Sequence, residues 1–351
     1  MEAALPVAEA DLLARARGGD ADAFGLLVAP HRRALHVHCY RMLGSLQEAE
    51  DLLQESLLRA WRGLERFEGR ASVRGWLYRI ATNACLDALK ARRRRLFPDA
   101  YGPPHDPTAP PAPAVYDVPW VEPYPDELLA APEGDPAQIY EAREGIALTF
   151  ISALQFLSAR ERAALILRDG LGFSARETAA VLETTVAAAN SALGRARATL
   201  SRRSGPADGA ALAADEAATV ARYVAAWEAA DVDALVALLR EDARLTMPPT
   251  PSWYLGRAAV GTFFATFLAS ELGRGSRLLA TRANGQPALA VYGAGERLYQ
   301  PLGLKVLTLD AAGKIAAING FTDAPLLALC GLAPRPRPDA VAAPDLIRGR
   351  R

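Results

Sequence analysis

Between residues 9 and 95, the spacing of hydrophobic and polar positions is typical of helices, and the alternation that is typical of strands is absent. In one stretch, apolar residues recur at steps of three and four and predict a helix with one buried stripe. The members of this stripe are Ala49, Leu53, Leu57, Ala60, Trp61 and Leu64. After a short loop, Ser72 is the predicted N-cap of a further helix, whose packed side begins at Trp76. The sequence therefore predicts an all-α first region.

Residues 146–203 predict a second helical region. Two capping boxes, in which a serine and a glutamate three residues later satisfy each other's backbone amides, mark helix starts. They are Ser158 with Glu161 and Ser174 with Glu177. In the last helix the predicted buried residues are Val186, Ala189, Leu193 and Ala196, and the predicted exposed ones are Asn190, Ser191, Arg195 and Arg197. This pattern is typical of a helix-turn-helix that reads the major groove, although purely structural helix pairs share the spacing.

Residues 212–330 follow a different pattern. Two helices rich in aromatic residues come first, one carrying Tyr223 and Trp227 and one carrying Phe263, Phe264 and Phe267. Four strands are then predicted at residues 277–283, 288–293, 297–309 and 314–322, separated by turns that contain glycine. Helices followed by a curved antiparallel sheet predict an α+β domain.

The distribution of charge along the chain indicates a binding partner. The 40 Lys and Arg residues balance the 40 Asp and Glu residues, but the two signs are segregated. Residues 66–95 hold nine basic and two acidic side chains, whereas residues 97–137 hold eight acidic side chains, no Lys or Arg, and twelve of the 25 prolines. The second stretch is predicted to be a linker, because prolines break helices and little apolar surface offsets the cost of ordering. Two basic regions joined by an acidic linker predict a polyanionic partner such as nucleic acid.

Two segments of the first region resemble region two of bacterial sigma factors of the extracytoplasmic-function (ECF) class. GSLQEAEDLLQESLLRAW resembles the helix that binds the polymerase clamp, and RFEGRASVRGWLYRIATNACLDALKARRRR resembles the segment that recognises the minus-ten promoter element. The resemblance implies that four residues face the clamp helices of the beta-prime subunit: Glu48, Asp51, Gln54 and Glu55. It also implies minus-ten contacts from Phe67, Ser72, Val73, Arg74, Arg79 and Asn83, including a pocket for a flipped base. From periodicity alone, the acidic residues form a solvated helix face.

The second region resembles region four of the same factors, which reads the minus-thirty-five element and docks on the beta flap of the polymerase. The implied DNA contacts are Arg168, Asn190, Ser191, Arg195 and Arg197. Gly194 departs from the larger side chains often found at its position in the family. Within the linker, WVEPYPDELL resembles a motif of the subgroup that carries a C-terminal extension. Trp120 and Tyr124 are interpreted as an anchor, either on polymerase or on the protein's own other domains.

The third region, with EDARLTMPPTPSWYLGRAAV and its strand pattern, resembles the SnoaL-like, cone-shaped α+β fold appended to some ECF sigma factors. Such cones often hold a small molecule. A candidate ligand pocket is formed by Trp227, Met247, Trp253, Tyr254 and Asn284, a set that fits a plain core equally well. Residues 106–351 contain no histidine, and Asp231, Asp233 and Asp242 lie at predicted helix ends. We therefore expect no catalysis.

The predicted organisation is sigma region two at 9–96, a linker at 97–137, sigma region four at 138–204, the SnoaL-like domain at 212–330 and a disordered tail at 334–351. We expect no cofactor and no metal site, since His36 and His38 would diverge on a helix. We also expect a cytoplasmic location, because the chain has neither a secretory signal pattern nor an apolar run long enough to span a bilayer.

The resulting hypothesis is an RNA polymerase sigma factor that directs promoter-specific transcription initiation. Its C-terminal domain would regulate the other two in cis, with a small molecule as a candidate ligand. One alternative is a free-standing, ligand-responsive helix-turn-helix regulator, which would leave the 48–55 face unexplained. Another is an enzyme fused to a DNA-binding segment.

Overall fold

The computed structural model describes residues 7–67, 69, 72–90, 93–129, 145–203 and 216–336. Their helices are α1 (Val7–Arg17), α2 (Ala21–Leu43), α3 (Leu46–Gly63), α4 (Val73–Lys90), α5 (Pro98–Tyr101), α6 (Leu148–Leu154), α7 (Ala159–Leu165), α8 (Ala175–Val181), α9 (Val186–Arg203), α10 (Glu216–Glu228), α11 (Val232–Ala237), α12 (Arg257–Ala269) and α13 (Ala324–Leu329). Their strands are β1 (Leu239–Met247), β2 (Thr250–Leu255), β3 (Arg277–Ala283), β4 (Gln286–Ala294), β5 (Leu298–Leu309), β6 (Ile315–Phe321) and β7 (Arg335–Pro336). Within the described ranges, no helix combines the length and the apolar character needed to cross a membrane.

The chain divides into two compact units. The first unit takes in the described parts of Met1–Arg95 and Glu127–Ala207, and the second takes in those of Leu96–Asp126 and Asp208–Arg351. Residues 96–126 therefore belong with the α+β domain rather than with the helices that precede and follow them in the chain. The predicted tail, apart from residues 334–336, lies outside the described residues, as do residues 130–137 of the predicted linker.

The local signals of the first unit predicted its helix starts correctly. The Ser72 hydroxyl accepts a hydrogen bond from the Gly75 amide at 3.1 Å, and both predicted capping boxes are formed at α7 and α8. The burial of Ala189, Leu193 and Ala196 on α9 is confirmed. The predicted burial of Val186 is wrong, since its side chain is 40% exposed. Val186 is the first residue of α9, and the buried stripe of the helix begins one turn later.

In the first unit, the 145–203 region packs directly against α2 and α4. The Phe173 ring meets the Tyr78 ring edge to face, with 5.3 Å between centroids. The Arg162 guanidinium is buried and donates hydrogen bonds to the Met42 carbonyl and, at 2.9 Å, to Gln155 Oε1. Burial lowers the pKa of Arg162 to about 10, so the group stays charged at neutral pH. The two helical regions thus form one packed body.

His38 of α2 makes the stability of this body sensitive to acid. Its ring is fully buried, bonds Thr82 Oγ1 at 2.9 Å, and burial lowers its pKa to about 3. The unfolded ring has a pKa of about 6.5, so between these values the unfolded state binds more protons. We expect the contribution of His38 to the free energy of unfolding to be fully present above pH 6.5. Below pH 6.5, the free energy of unfolding should fall by up to about 1.4 kcal/mol per pH unit because of this group. Urea unfolding between pH 5 and pH 7 measures this slope. An equal slope in His38→Gln would contradict the assignment.

The second unit is built on a curved sheet with the strand order β2-β1-β6-β5-β4-β3, and β7 pairs with β5. Four of these strands match the predicted ones within three residues at each end. The four predicted strands pair antiparallel as predicted, but the sheet as a whole is mixed, because the unpredicted strand β1 runs parallel to β6. Strands β1 and β2 were not predicted, since Pro248 and Pro249 interrupt the alternation at the hairpin that joins them.

The core of the second unit lies between the sheet and helices α10 and α12. Tyr223 and Trp227 of α10 and Phe264 of α12 are buried against apolar residues of the sheet. Their rings form a cluster in which Trp227 and Phe264 meet edge to face at 5.9 Å, a favoured aromatic geometry. The sheet residues of this core include Leu245, Leu289, Val291, Leu307 and Ile318. They define the inner face of the sheet.

Candidate functional sites

The acidic face of α3 is largely at the surface. Asp51, Gln54 and Glu55 are exposed. Of the predicted apolar stripe, Leu57 and Trp61 are half-buried and the other members are buried. Glu48, the fourth residue of this set, is half-buried and forms an ion pair with Arg95 at 3.0 Å. Three of the four predicted polymerase contacts are therefore directly accessible on this helix.

The loop before α4 contributes more to the core than the sequence indicates. Phe67 and Val73 are buried, and the Phe67 ring packs on Trp76 with 4.8 Å between centroids. Ser72 is exposed but serves as the N-cap of α4. Glu68, Arg70 and Ala71 of the predicted flipped-base loop lie outside the described residues.

Two predicted minus-ten contacts on α4 are engaged by the 145–203 region. The Arg74 guanidinium lies 4.5 Å from the centroid of the Phe173 ring and donates to the Leu171 carbonyl at 2.8 Å. Asn83 Nδ2 donates to Glu183 Oε1 at 3.3 Å. Arg79, by contrast, is exposed.

The residues predicted to contact the minus-thirty-five element differ in the groups that their side chains bind. Asn190 and Ser191 are exposed on α9. Arg195 pairs with Glu161 at 2.7 Å, and Arg197 forms a two-pronged pair with Asp169 at 2.6 and 3.0 Å. Exposed ion pairs of this kind contribute only about 0–1 kcal/mol, so both arginines can exchange these carboxylates for phosphates. Arg168 donates to the Phe173 carbonyl at 2.7 Å and so fixes the turn before α8.

Tyr124 anchors residues 96–126 on the second unit. Its side chain is fully buried, its amide donates to Asn284 Oδ1 at 2.8 Å, and its carbonyl accepts from the Asn284 amide at 2.7 Å. Asn284 is also fully buried and has a φ of 56°, a left-handed conformation that Asn tolerates in the tight turn between β3 and β4. Asp126 adds a hydrogen bond from the Gly285 amide at 2.8 Å and an ion pair with Arg282 at 3.3 Å. The anchor therefore lies on the protein's own α+β domain in this structure.

The rest of this segment follows the β1–β2 hairpin. Trp253 Nε1 donates to the Gly102 carbonyl at 2.8 Å, and the Trp253 carbonyl accepts from the His105 amide at 2.7 Å. The Val115 amide donates to the Pro249 carbonyl at 2.9 Å, and Trp120 is buried. Trp253 and Asn284, both predicted to line a ligand pocket, thus hold the segment. Trp227, Tyr254 and the half-buried Met247 belong to the core.

Sequence reasoning missed Lys305 of β5. Its Nζ lies 3.2 Å from the centroid of the Trp227 ring and 3.4 Å from Tyr223 Oη. Burial lowers the pKa of Lys305 well below its ordinary value and raises the pKa of the Tyr223 phenol. The sequence did contain a signal for a buried lysine. Side chains alternate between the two faces of a strand, so Lys305 shares a face of β5 with the apolar residues Leu307 and Leu309. Elsewhere among the described residues, no group of three or more His, Cys, Asp or Glu side chains is arranged to hold a metal ion.

Comparison with known families assigns each region of the chain. The models of Sigma-70 region 2, Sigma-70 region 4 and the SnoaL-like domain match residues 27–95, 148–200 and 220–318 in turn. These three matches define a sigma factor with a SnoaL-like C-terminal domain. The predicted fold class, two helical domains and an α+β domain, is confirmed.

Two curated relatives and one solved structure indicate which class of sigma factor the chain resembles. The ECF RNA polymerase sigma factor SigG of Mycobacterium tuberculosis is 42% identical over 322 residues, which are 90% of this chain and 85% of SigG. SigM of the same species is 32% identical over 194 residues, 55% of this chain and 83% of SigM. The crystal structure of the M. tuberculosis ECF sigma factor SigJ matches with a TM-score of 0.55 and 23% identity, covering 85% of this chain and 95% of that one, and so shows a shared fold. The chain belongs to the ECF RNA polymerase sigma factors.

This result favours the sigma factor hypothesis over a free-standing helix-turn-helix regulator. Sigma factors as a class bind core RNA polymerase and promoter DNA and direct transcription initiation. The relatives named above are sigma factors rather than enzymes.

Proposed function

We propose that this sigma factor binds the clamp helices of the polymerase beta-prime subunit through the acidic face of α3 and reads the minus-thirty-five element with α9. The observation that carries the proposal is shared by both helices: the apolar stripe is buried, while polar side chains suited to the contact stay at the surface. Arg and Asn on such a helix are the side chains best fitted to guanine and adenine edges. The 145–203 region would also dock on the beta flap.

We further propose that the packed first unit is a closed form that opens on polymerase. Arg74 and Asn83 of α4 bind Leu171 and Glu183, so promoter DNA that contacts these two side chains would replace the contacts. Reading the minus-ten element with α4 would therefore loosen the 145–203 region from α4. Core polymerase would drive this opening, because it offers each region a binding surface that the free protein lacks.

Asn190 and Ser191 provide the test of promoter reading. Replacing both by alanine removes hydrogen-bonding groups without disturbing the buried side of α9, and we expect discrimination among upstream sequences to fall by about 1–3 kcal/mol per lost base contact. The measurement is in vitro transcription by core polymerase and the full-length protein from a promoter library randomised in both elements. Ser201→Ala, at the exposed far end of α9, is the matched control.

The expected outcome is a relaxed preference at minus thirty-five with the minus-ten preference retained. A double variant that selects the same upstream sequences as the unaltered protein would contradict the assignment of α9. Loss of preference at both elements would indicate misfolding, which circular dichroism and binding to core polymerase detect independently.

We propose that the SnoaL-like domain regulates initiation in cis by holding the linker. In sigma factors of this class the linker threads through the polymerase cleft, and its carboxylates match a basic channel. Here residues 97–126 of that linker lie on the second unit through Tyr124, Asp126 and the β1–β2 hairpin. The domain and the polymerase would therefore compete for the same segment.

A further inference from the structure

Lys305 lies on the inner face of the sheet of the second unit. It is paired with Leu289 across β4 and lies two residues before Leu307, and both of these leucines are core residues. A lysine at such a position is rare, because an amine is costly to bury without a partner. The neighbouring positions on this face are glycines, Gly303 two residues earlier on β5 and Gly320 opposite it on β6, which contribute no side chains to the surroundings of the amine.

Aromatic rings surround the amine. Its Nζ is 3.2 Å from the centroid of the Trp227 ring, 5.5 Å from that of Phe264, 5.8 Å from that of Tyr223 and 6.0 Å from that of Phe267. Lys305 is nevertheless only half-buried, so the enclosure is not sealed. In the described part of the chain, no carboxylate forms an ion pair with it. The one hydrogen bond assigned to Nζ is that with Tyr223 Oη, at 3.4 Å.

The surroundings of this amine act on its charge in two opposite ways. The faces of the rings attract an ammonium. An amine held among ring carbons, with a phenol as its polar neighbour, nevertheless loses the solvation that favours the ammonium form, and this burial lowers the pKa of Lys305 well below its ordinary value. Neutral lysine amines in apolar pockets attack carbonyl groups to form Schiff bases. The surrounding rings favour a ligand whose carbonyl carries an apolar or aromatic substituent.

We propose that Lys305 captures an apolar aldehyde or ketone as a reversible imine inside the SnoaL-like domain. The Nζ lone pair attacks the carbonyl carbon, and the Tyr223 hydroxyl gives its proton to the carbonyl oxygen and regains one from the nitrogen, which forms a carbinolamine. The C–O bond then breaks as the same phenol protonates the leaving hydroxyl, and water departs. Loss of the remaining nitrogen proton to the phenolate leaves the imine. Amine and carbonyl thus give imine and water, and Tyr223 is unchanged.

The lysine content of the chain makes this proposal directly testable. Lysine occurs only at positions 90, 305 and 314, and the side chain of Lys90 is 76% exposed. Lys314 is exposed as well, so both serve as internal controls within the full-length protein. At pH 7 an ordinary lysine amine is neutral in about one molecule in a few thousand, because its pKa is about 10.4.

The experiment treats the full-length protein with 3-phenylpropanal and sodium cyanoborohydride and locates the reduced adduct by peptide mass spectrometry. At pH 7 we expect labelling of Lys305 to exceed that of Lys90 and Lys314 at least tenfold. Between pH 7 and pH 9 the advantage should shrink, because the neutral fraction of each surface amine rises about tenfold per pH unit. Lys305→Met should abolish the dominant lysine adduct, and Lys314→Met should preserve it.

Two results would overturn the proposal. One is equal labelling of the three lysines at pH 7, a comparison that needs only the unaltered protein and so stands even if Lys305→Met fails to fold. The other is that 3-phenylpropanoate protects Lys305 from labelling and binds the domain as strongly as the aldehyde does. That result would make the group a cationic site for organic acids. Because the readout is an adduct mass, it does not depend on polymerase binding or on promoter reading.

Discussion

Replacing Asp51 and Glu55 of α3 by arginine is expected to weaken binding of core RNA polymerase by at least about 100-fold, since placing like charges together across an interface costs several kcal/mol. Both side chains are exposed, and neither belongs to the buried stripe of α3, so the fold of the first unit should persist. Titration of fluorescently labelled sigma factor with core polymerase at moderate salt measures the loss.

The matched control for this prediction is the double variant Asp11→Arg, Glu65→Arg. It changes the net charge by the same amount at two exposed carboxylates of the first unit that lie outside α3. Equal weakening in both double variants would mean that net charge, rather than the α3 face, governs the association. Normal binding by the α3 variant would show that the clamp assignment is wrong.

Tyr124→Ala is expected to release residues 96–126 from the α+β domain. Removing a fully buried aromatic side chain costs about 3–5 kcal/mol, and most of that cost should fall on the attachment of this segment. Hydrogen exchange of the segment should accelerate, while exchange in the sheet core stays slow. Tyr116→Ala, which alters a side chain of the same segment that is 75% exposed, should change neither.

The same pair of variants tests regulation in cis. If the SnoaL-like domain competes with polymerase for the linker, Tyr124→Ala should raise promoter output several-fold in vitro, whereas Tyr116→Ala should match the unaltered protein. Unchanged output from a Tyr124→Ala protein whose segment exchanges freely would remove this mechanism. Truncation after residue 203 is a poorer test, because it deletes the surface on which residues 96–126 lie.

The elements that could be predicted from sequence are those specified locally. Serine caps, the 3.6-residue period of α3 and the alternation of β3 to β6 each depend on neighbours a few residues apart. Exposure of Asn190 and Ser191 follows from the same periodicity. Val186 departed from it because a helix end has no preceding turn to pack beside it.

What could not be predicted depends on contacts between distant residues. The parallel pairing of β1 with β6 joins segments about 70 residues apart, and Tyr124 meets Asn284 across 160 residues. The sequence places Lys305 on the same face of β5 as Leu307 and Leu309, but it does not show which side chains lie around the amine. Only the packing of α10 and α12 over β5 places its amine among rings.

Attachment of residues 96–126 to the second unit also changes how tightly the two DNA-reading regions are tethered. The predicted linker has 41 residues, and 30 of them, residues 97–126, lie in the second unit. Loop-closure entropy scales with the logarithm of the length of flexible chain between the joined parts, so a segment held on a folded domain no longer adds to that length. Under the proposed regulation in cis, the SnoaL-like domain would therefore favour the closed form through chain entropy, without touching the surfaces that read promoter DNA.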